Sequence, residues 1–166
     1  MYVLILTIVH TAISLVALAT GPAVVADLLG SREREGMTKL FLAMALLTSA
    51  TGFLFPFTQI LPSHVVGVVA LVVLAVTIPA RYRYQLRGAW RWIYAGGAVA
   101  SLYLLVFVLI AQLFTKIPAL TAAAPTLSEP PFAVTQAAAF AIFAVLGLLA
   151  VRRFHPAAAL APSTAG

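Results

Sequence analysis

The chain has 166 residues, of which 63% are hydrophobic and only 8% charged, against roughly 25% charged in soluble domains. So few charges leave a soluble surface uncovered, and the apolar residues fall in runs near the length that crosses about 30 Å of hydrocarbon as helix. The absence of cysteine excludes disulfides, thiol catalysis and thiolate metal sites. The net charge of +6 does not indicate nucleic acid, because the basic residues sit at the ends of apolar runs and form no stripe along a polar face.

Five membrane-spanning helices are predicted, making an all-α integral membrane bundle. The first runs from Tyr2 to about Ala26, with Gly21-Pro22 as a kink or thinning point. It lacks the basic start and small-residue cleavage site of a signal peptide and is expected to be retained. The second is expected from Leu40 to about Phe57 and the third from Ser63 to Ala80, each roughly 27 Å long and just sufficient to span. The fourth, Trp92 to Phe114, is longer and is expected to tilt. The fifth runs from Phe132 to Val151, and residues 156–166 form a flexible tail after a single domain of residues 1–155.

Basic residues orient this arrangement. Arg32, Arg34 and Lys39 lie in the first connection, Arg81, Arg83, Arg87 and Arg91 in the third, and Arg152 and Arg153 after the last span. The opposite side holds only Lys116. By the positive-inside rule the N-terminus is outside and the C-terminus cytoplasmic. ARYRYQLRGAWRWIY reads as an aromatic belt whose Arg81, Arg83, Arg87 and Arg91 face anionic lipid headgroups.

Helices in lipid associate through small residues and buried polar groups. Thr7, His10, Ser14, Ala17 and Gly21 form one inward face of the first helix. Ala45, Ser49 and Gly52, beside Met44, Thr48 and Thr51, do so in the second. Gly97 and Ser101 mark a seam on the fourth. Ala133, Ala137, Ala141 and Ala144 on the fifth either pack internally or pair two copies of the chain.

The less common polar residues gather towards the outer leaflet: His10, Gln59, His64, Gln112, Lys116, Glu129 and Gln136. His10 is an ionisable residue inside a span, which makes it a functional candidate. Its depth depends on how far the first helix protrudes, over a range of roughly 12 Å. Pro56 and Pro62 are expected to close the second helix and open the third, with Ser63 as N-cap and His64 in the first turn. Ser128 and Glu129 start the fifth helix by the same logic. Asp27 and Lys39 are expected at the solvated boundary with His155 in the tail, and the Arg32–Glu35 run as a surface turn.

TSATGFLFPF (Thr48 to Phe57), LPSH (Leu61 to His64), GAWRWIY (Gly88 to Tyr94) and APTLSEPPF (Ala124 to Phe132) together resemble a family of small proteobacterial membrane proteins of no established activity. The resemblance implies a helical protein of the bacterial inner membrane. The family pattern has asparagine at the position of Leu105 and glutamine at that of Leu127, so this chain lacks two of its polar groups.

No paired intramembrane carboxylates, phosphate loop or Ser-His-Asp set can be read from the sequence. The leading expectation is therefore a non-enzymatic structural, accessory or small-ligand-binding membrane protein. One alternative is electron transfer, with His10 and His64 as axial ligands of a b-type haem or as a quinone site with Gln112. The other is transport of a proton or small solute through His10.

Overall fold

The computed structural model describes residues 1–56 and 62–156. Among them there are six helices and no strand: α1 (Tyr2–Leu29), α2 (Glu35–Gly52), α3 (Pro62–Tyr82), α4 (Trp90–Lys116), α5 (Pro118–Ala123) and α6 (Pro130–Arg153). Four of them, α1, α3, α4 and α6, are long and apolar enough to cross a membrane. The outside of the bundle is correspondingly greasy, with Leu4, Ile8, Leu15, Val72, Phe140 and Leu148 all more than half exposed. Exposed apolar surface on this scale marks contact with something other than water.

The second expected span, Leu40 to about Phe57, differs in place and composition and is not among these four. α2 starts at Glu35 and ends at Gly52, so its apolar part from Leu40 onward is roughly 20 Å long. Pro56 stops it early: within a helix its ring would meet the carbonyl of Gly52, and it disfavours helical backbone at Phe55. The chain instead tightens, with Phe53 N–H donating to Ala50 O at 3.2 Å and Leu54 N–H to Thr51 O at 3.1 Å. Ser63 lies inside α3 behind Pro62 and is not a cap before it. His64 stands in the first turn, as expected.

α1 passes through Pro22 as one continuous helix. α5 occupies a connection expected to be loop. Pro118 pre-sets its first turn, and the alanines that follow are strong helix formers. Thr121 ties it back to α4 by donating to Phe114 O at 2.8 Å.

The helices alternate in direction, giving the molecule two ends. At one end the Tyr2 hydroxyl donates to Leu54 O at 3.2 Å, joining the start of α1 to the exit of α2. At the other lie the α1–α2 turn, the α3–α4 turn and the end of α6, which carry nine of the ten Lys and Arg. α4 is the hub, touching α1, α2, α3 and α6.

The closest packing is at the charged end. Val24, Leu28, Phe41, Leu74, Tyr94, Val99, Ala150 and Phe154 are buried there in one cluster. Leu86, with a positive φ of 58°, turns its side chain into this core and is 4% exposed. The chain after α6 remains attached: Phe154 is fully buried, His155 N–H donates to Ser31 Oγ at 2.7 Å, and Pro156 is buried. Residues 157–166 of the expected tail lie outside the described residues.

The inward face of α1 holds from His10 to Gly21, becoming fully buried at Ala17 and Gly21, whereas Thr7 is exposed. Ala45 and Ser101 are likewise buried. The alanine stripe of α6 is not an internal seam, since Ala133, Ala137, Ala141 and Ala144 are all exposed.

Candidate functional site

The sequence-derived polar residues that are described, His10, His64, Gln112, Lys116, Glu129 and Gln136, lie at the end opposite the charged one. His10 Nδ1 and Thr51 Oγ1 are hydrogen-bonded at 2.8 Å, linking α1 to α2. The Phe55 ring stands edge-on to the imidazole at a centroid distance of 5.3 Å. Thr51 Oγ1 also contacts Leu47 O at 2.7 Å. Its single proton serves either that carbonyl or the histidine. If Leu47 O takes it, His10 Nδ1 is the donor to Thr51 and Nε2 is the acceptor edge of the neutral ring.

His64 comes to the other flank of the same α2 exit, its ring 5.8 Å from that of Phe53 and inclined by 34°. Phe53 packs closely on α3: a Cβ added at Gly67 would lie 3.1 Å from its ring. Gln59 lies outside the described residues.

Of the other described residues of the expected cluster, Gln136 and Glu129 have contacts of their own. Gln136 is buried in α6 and donates from Nε2 to Phe107 O of α4 at 3.1 Å, while its Oε1 is buried without a partner. Gln112 and Lys116 are exposed on α4. Glu129 precedes α6 but does not cap it. Its carboxylate instead folds the preceding loop, accepting from Thr126 Oγ1 at 2.8 Å and from the backbone N–H groups of Thr126 and Ser128. Desolvation acts to raise this carboxyl, and those hydrogen bonds outweigh it, holding the group below its ordinary 4.5.

The span hydroxyls are largely committed to their own helices. Thr7, Ser14, Thr20, Ser49, Thr77, Ser101 and Thr135 each donate to the carbonyl four residues back. Among the described residues, no three of His, Asp and Glu are placed to hold a metal ion.

Ionic structure is concentrated at the charged end, and here two expectations change. Asp27, expected to be solvated, is 6% exposed. It accepts from Arg34 Nε at 2.8 Å across the α1–α2 turn. Glu33, expected in a surface turn, pairs with Arg81 from the end of α3, and their side chains are only 16% and 19% exposed. Burial pushes the Glu33 carboxyl above its ordinary 4.5, against the pull of the Arg81 guanidinium. Lys39 remains at the surface, paired with Glu35 at 2.7 Å. Alternating charges at 32–35 signal a solvated turn in sequence; only the meeting of two separate turns reveals the Glu33–Arg81 pair.

Compared with known proteins, the chain matches no family model, no curated protein and no solved structure.

Proposed function

We propose that this is a five-span protein of the bacterial inner membrane, with its N-terminus outside and its charged end and C-terminus in the cytoplasm. It acts without catalysis, as an accessory or small-ligand-binding subunit whose polar residues serve the outer leaflet. Two features support the fifth span. α2 reaches the level of Tyr2 through Leu54, and its other end lies beside the Arg34–Asp27 pair at the foot of α1. Its two ends are thus tied to the two ends of its apolar neighbour. The orientation follows from nine basic residues at one end and the positive-inside rule. Arg81, Arg83, Arg87 and Arg91 then meet anionic headgroups.

The observation that carries the non-enzymatic reading is the commitment of polar groups inside the spans to structural bonds. Most span hydroxyls bind their own helix backbones, His10 binds Thr51 and Gln136 Nε2 binds Phe107 O; Thr48 Oγ1 and Gln136 Oε1 are the exceptions, buried without a partner among the described residues. The exposed alanine stripe on α6 offers a close-packing face to a second copy or another membrane helix.

A specific observation favours electron transfer as the second reading. A metal-ligating histidine is usually held through its other ring nitrogen, and His10 Nδ1 is held by Thr51. His10 and His64 also each pack against a phenylalanine of the α2 exit, Phe55 and Phe53 respectively. Oxidised and dithionite-reduced absorption spectra separate the readings in protein purified in mild detergent from the native membranes of haem-replete cells. The expected result is a featureless visible spectrum together with a stoichiometric co-purifying protein or small molecule. A Soret band that shifts on reduction and disappears in both His10→Ala and His64→Ala overturns the non-enzymatic binding role in favour of a small cytochrome.

A further inference from the structure

A shallow groove of about 330 Å³ opens at the charged end, where α4 begins and α6 finishes. It is lined by Arg91, Trp92, Val151, Arg152 and His155. Among the described residues no carboxylate borders it. The ion pairs among the described residues employ Arg34, Lys39 and Arg81, so the acidic side chains at this end are matched elsewhere and neither groove arginine has a carboxylate partner among the described residues.

Its walls are held in place. Phe154 is fully buried and packs against Tyr94 with a centroid distance of 5.6 Å, pinning the exit of α6 beneath the start of α4. His155 is fixed through its backbone N–H to Ser31 Oγ. Its Nδ1 donates to Arg153 O at 3.1 Å, leaving Nε2 as the other ring position for a ligand. The Arg91 guanidinium lies 5.7 Å from the centre of the Trp92 ring, within the range of a cation–π contact.

The chemistry of the lining selects an anion of definite shape. Paired guanidinium groups suit the oxygens of a phosphate ester. Trp92 is 52% exposed, and an indole at a helix end suits the headgroup level. Leu148, 62% exposed, lies one turn from Arg152 on the same side of α6 and continues the surface into an apolar one. We infer that this groove binds the phosphate headgroup of an anionic phospholipid, with the acyl chains lying along α4 and α6. The inference rests on the membrane reading above and adds to it a discrete site in place of diffuse headgroup attraction.

The test counts lipids retained on the full chain by native mass spectrometry after reconstitution in phosphatidylcholine containing phosphatidylglycerol. Phosphatidylglycerol should be retained about tenfold in preference to phosphatidylcholine, as expected for a site built on charge-assisted bonds. Arg91→Gln with Arg152→Gln should reduce that preference to about twofold or less. Arg32→Gln with Arg153→Gln, an equal loss of charge at the same end, should leave it intact. Equal loss in both double variants, at unchanged melting temperature, overturns the site in favour of general charge attraction. Complete displacement of the lipid by millimolar glycerol phosphate also overturns the proposal, showing the groove to be a site for soluble phosphate esters. Vesicle flotation of the same samples keeps the two levels apart. A chain that floats without lipid preference overturns the groove alone, and one that does not float overturns the membrane reading beneath it.

Discussion

Gly97→Ala should destabilise the bundle by about 2 kcal/mol, within the range for overpacked cores, although alanine is the better helix former. A Cβ at Gly97 would overlap the Thr77 hydroxyl and approach Thr77 Cβ to 3.1 Å. Thr77 has little room to withdraw. It is 1% exposed, β-branched and therefore stiff at χ1, and its hydroxyl donates to Val73 O at 2.7 Å. The whole of α3 must therefore move away from α4, the hub of the bundle. Thr77→Ala in the same chain removes the overlapping oxygen and should restore most of the lost stability. Thermal unfolding of both variants in detergent, followed by helical circular dichroism, measures this. A single variant as stable as wild type, or a double variant no better than Gly97→Ala, would show that the close approach does not hold α3 on α4.

Arg81→Ala should cost about 2–3 kcal/mol at neutral pH, between the value of an exposed ion pair and that of a fully buried one. It leaves the Glu33 carboxylate partly buried without its counter-charge. The direction of the pH dependence follows from linkage. Burial already raises the Glu33 carboxyl in the folded protein above 4.5, and removing Arg81 takes away the main opposing influence. In the window above 4.5 the folded chain then binds more protons than the unfolded chain, so this group's contribution to stability falls as pH rises. The Arg81→Ala defect should consequently shrink on acidification towards pH 4.5, and Glu33→Gln should relieve it at neutral pH. Melting temperatures across that range test both points; a defect that grows on acidification contradicts them.

Much of the fold was legible because lipid imposes a simple length rule on apolar runs. α1, α3, α4 and α6 all lie within a few residues of expectation. α2 ends before the expected Phe57 because the Pro56 ring conflicts with the carbonyl of Gly52 four residues earlier, so the proline acts one turn ahead of its own position. Small-residue patterns gave the correct inward face at Ala17, Gly21, Ala45 and Ser101, but the α6 alanines show that such a pattern cannot distinguish an internal seam from an outward one. His10 and Thr51 each lay on an expected inward face, and their pairing depended on the register between α1 and α2. Asp27 and Glu33 were hidden for the same reason: their arginine partners are supplied by neighbouring turns that only the folded chain brings together. Thr77 carried no signal of its own, since its importance comes from the glycine it faces.

The proposed topology has five spans with the charged end in the cytoplasm. The absence of native cysteine permits a direct test by single-cysteine labelling in intact bacterial cells with a membrane-impermeant maleimide. Ala122→Cys, on exposed α5, and Arg87→Cys, in the exposed turn between α3 and α4, probe opposite ends. The expected result is labelling of Ala122→Cys in intact cells and of Arg87→Cys only after permeabilisation. Labelling of both positions in intact cells, or the reverse pattern, would contradict the proposed orientation and with it the outer-leaflet role of the polar residues.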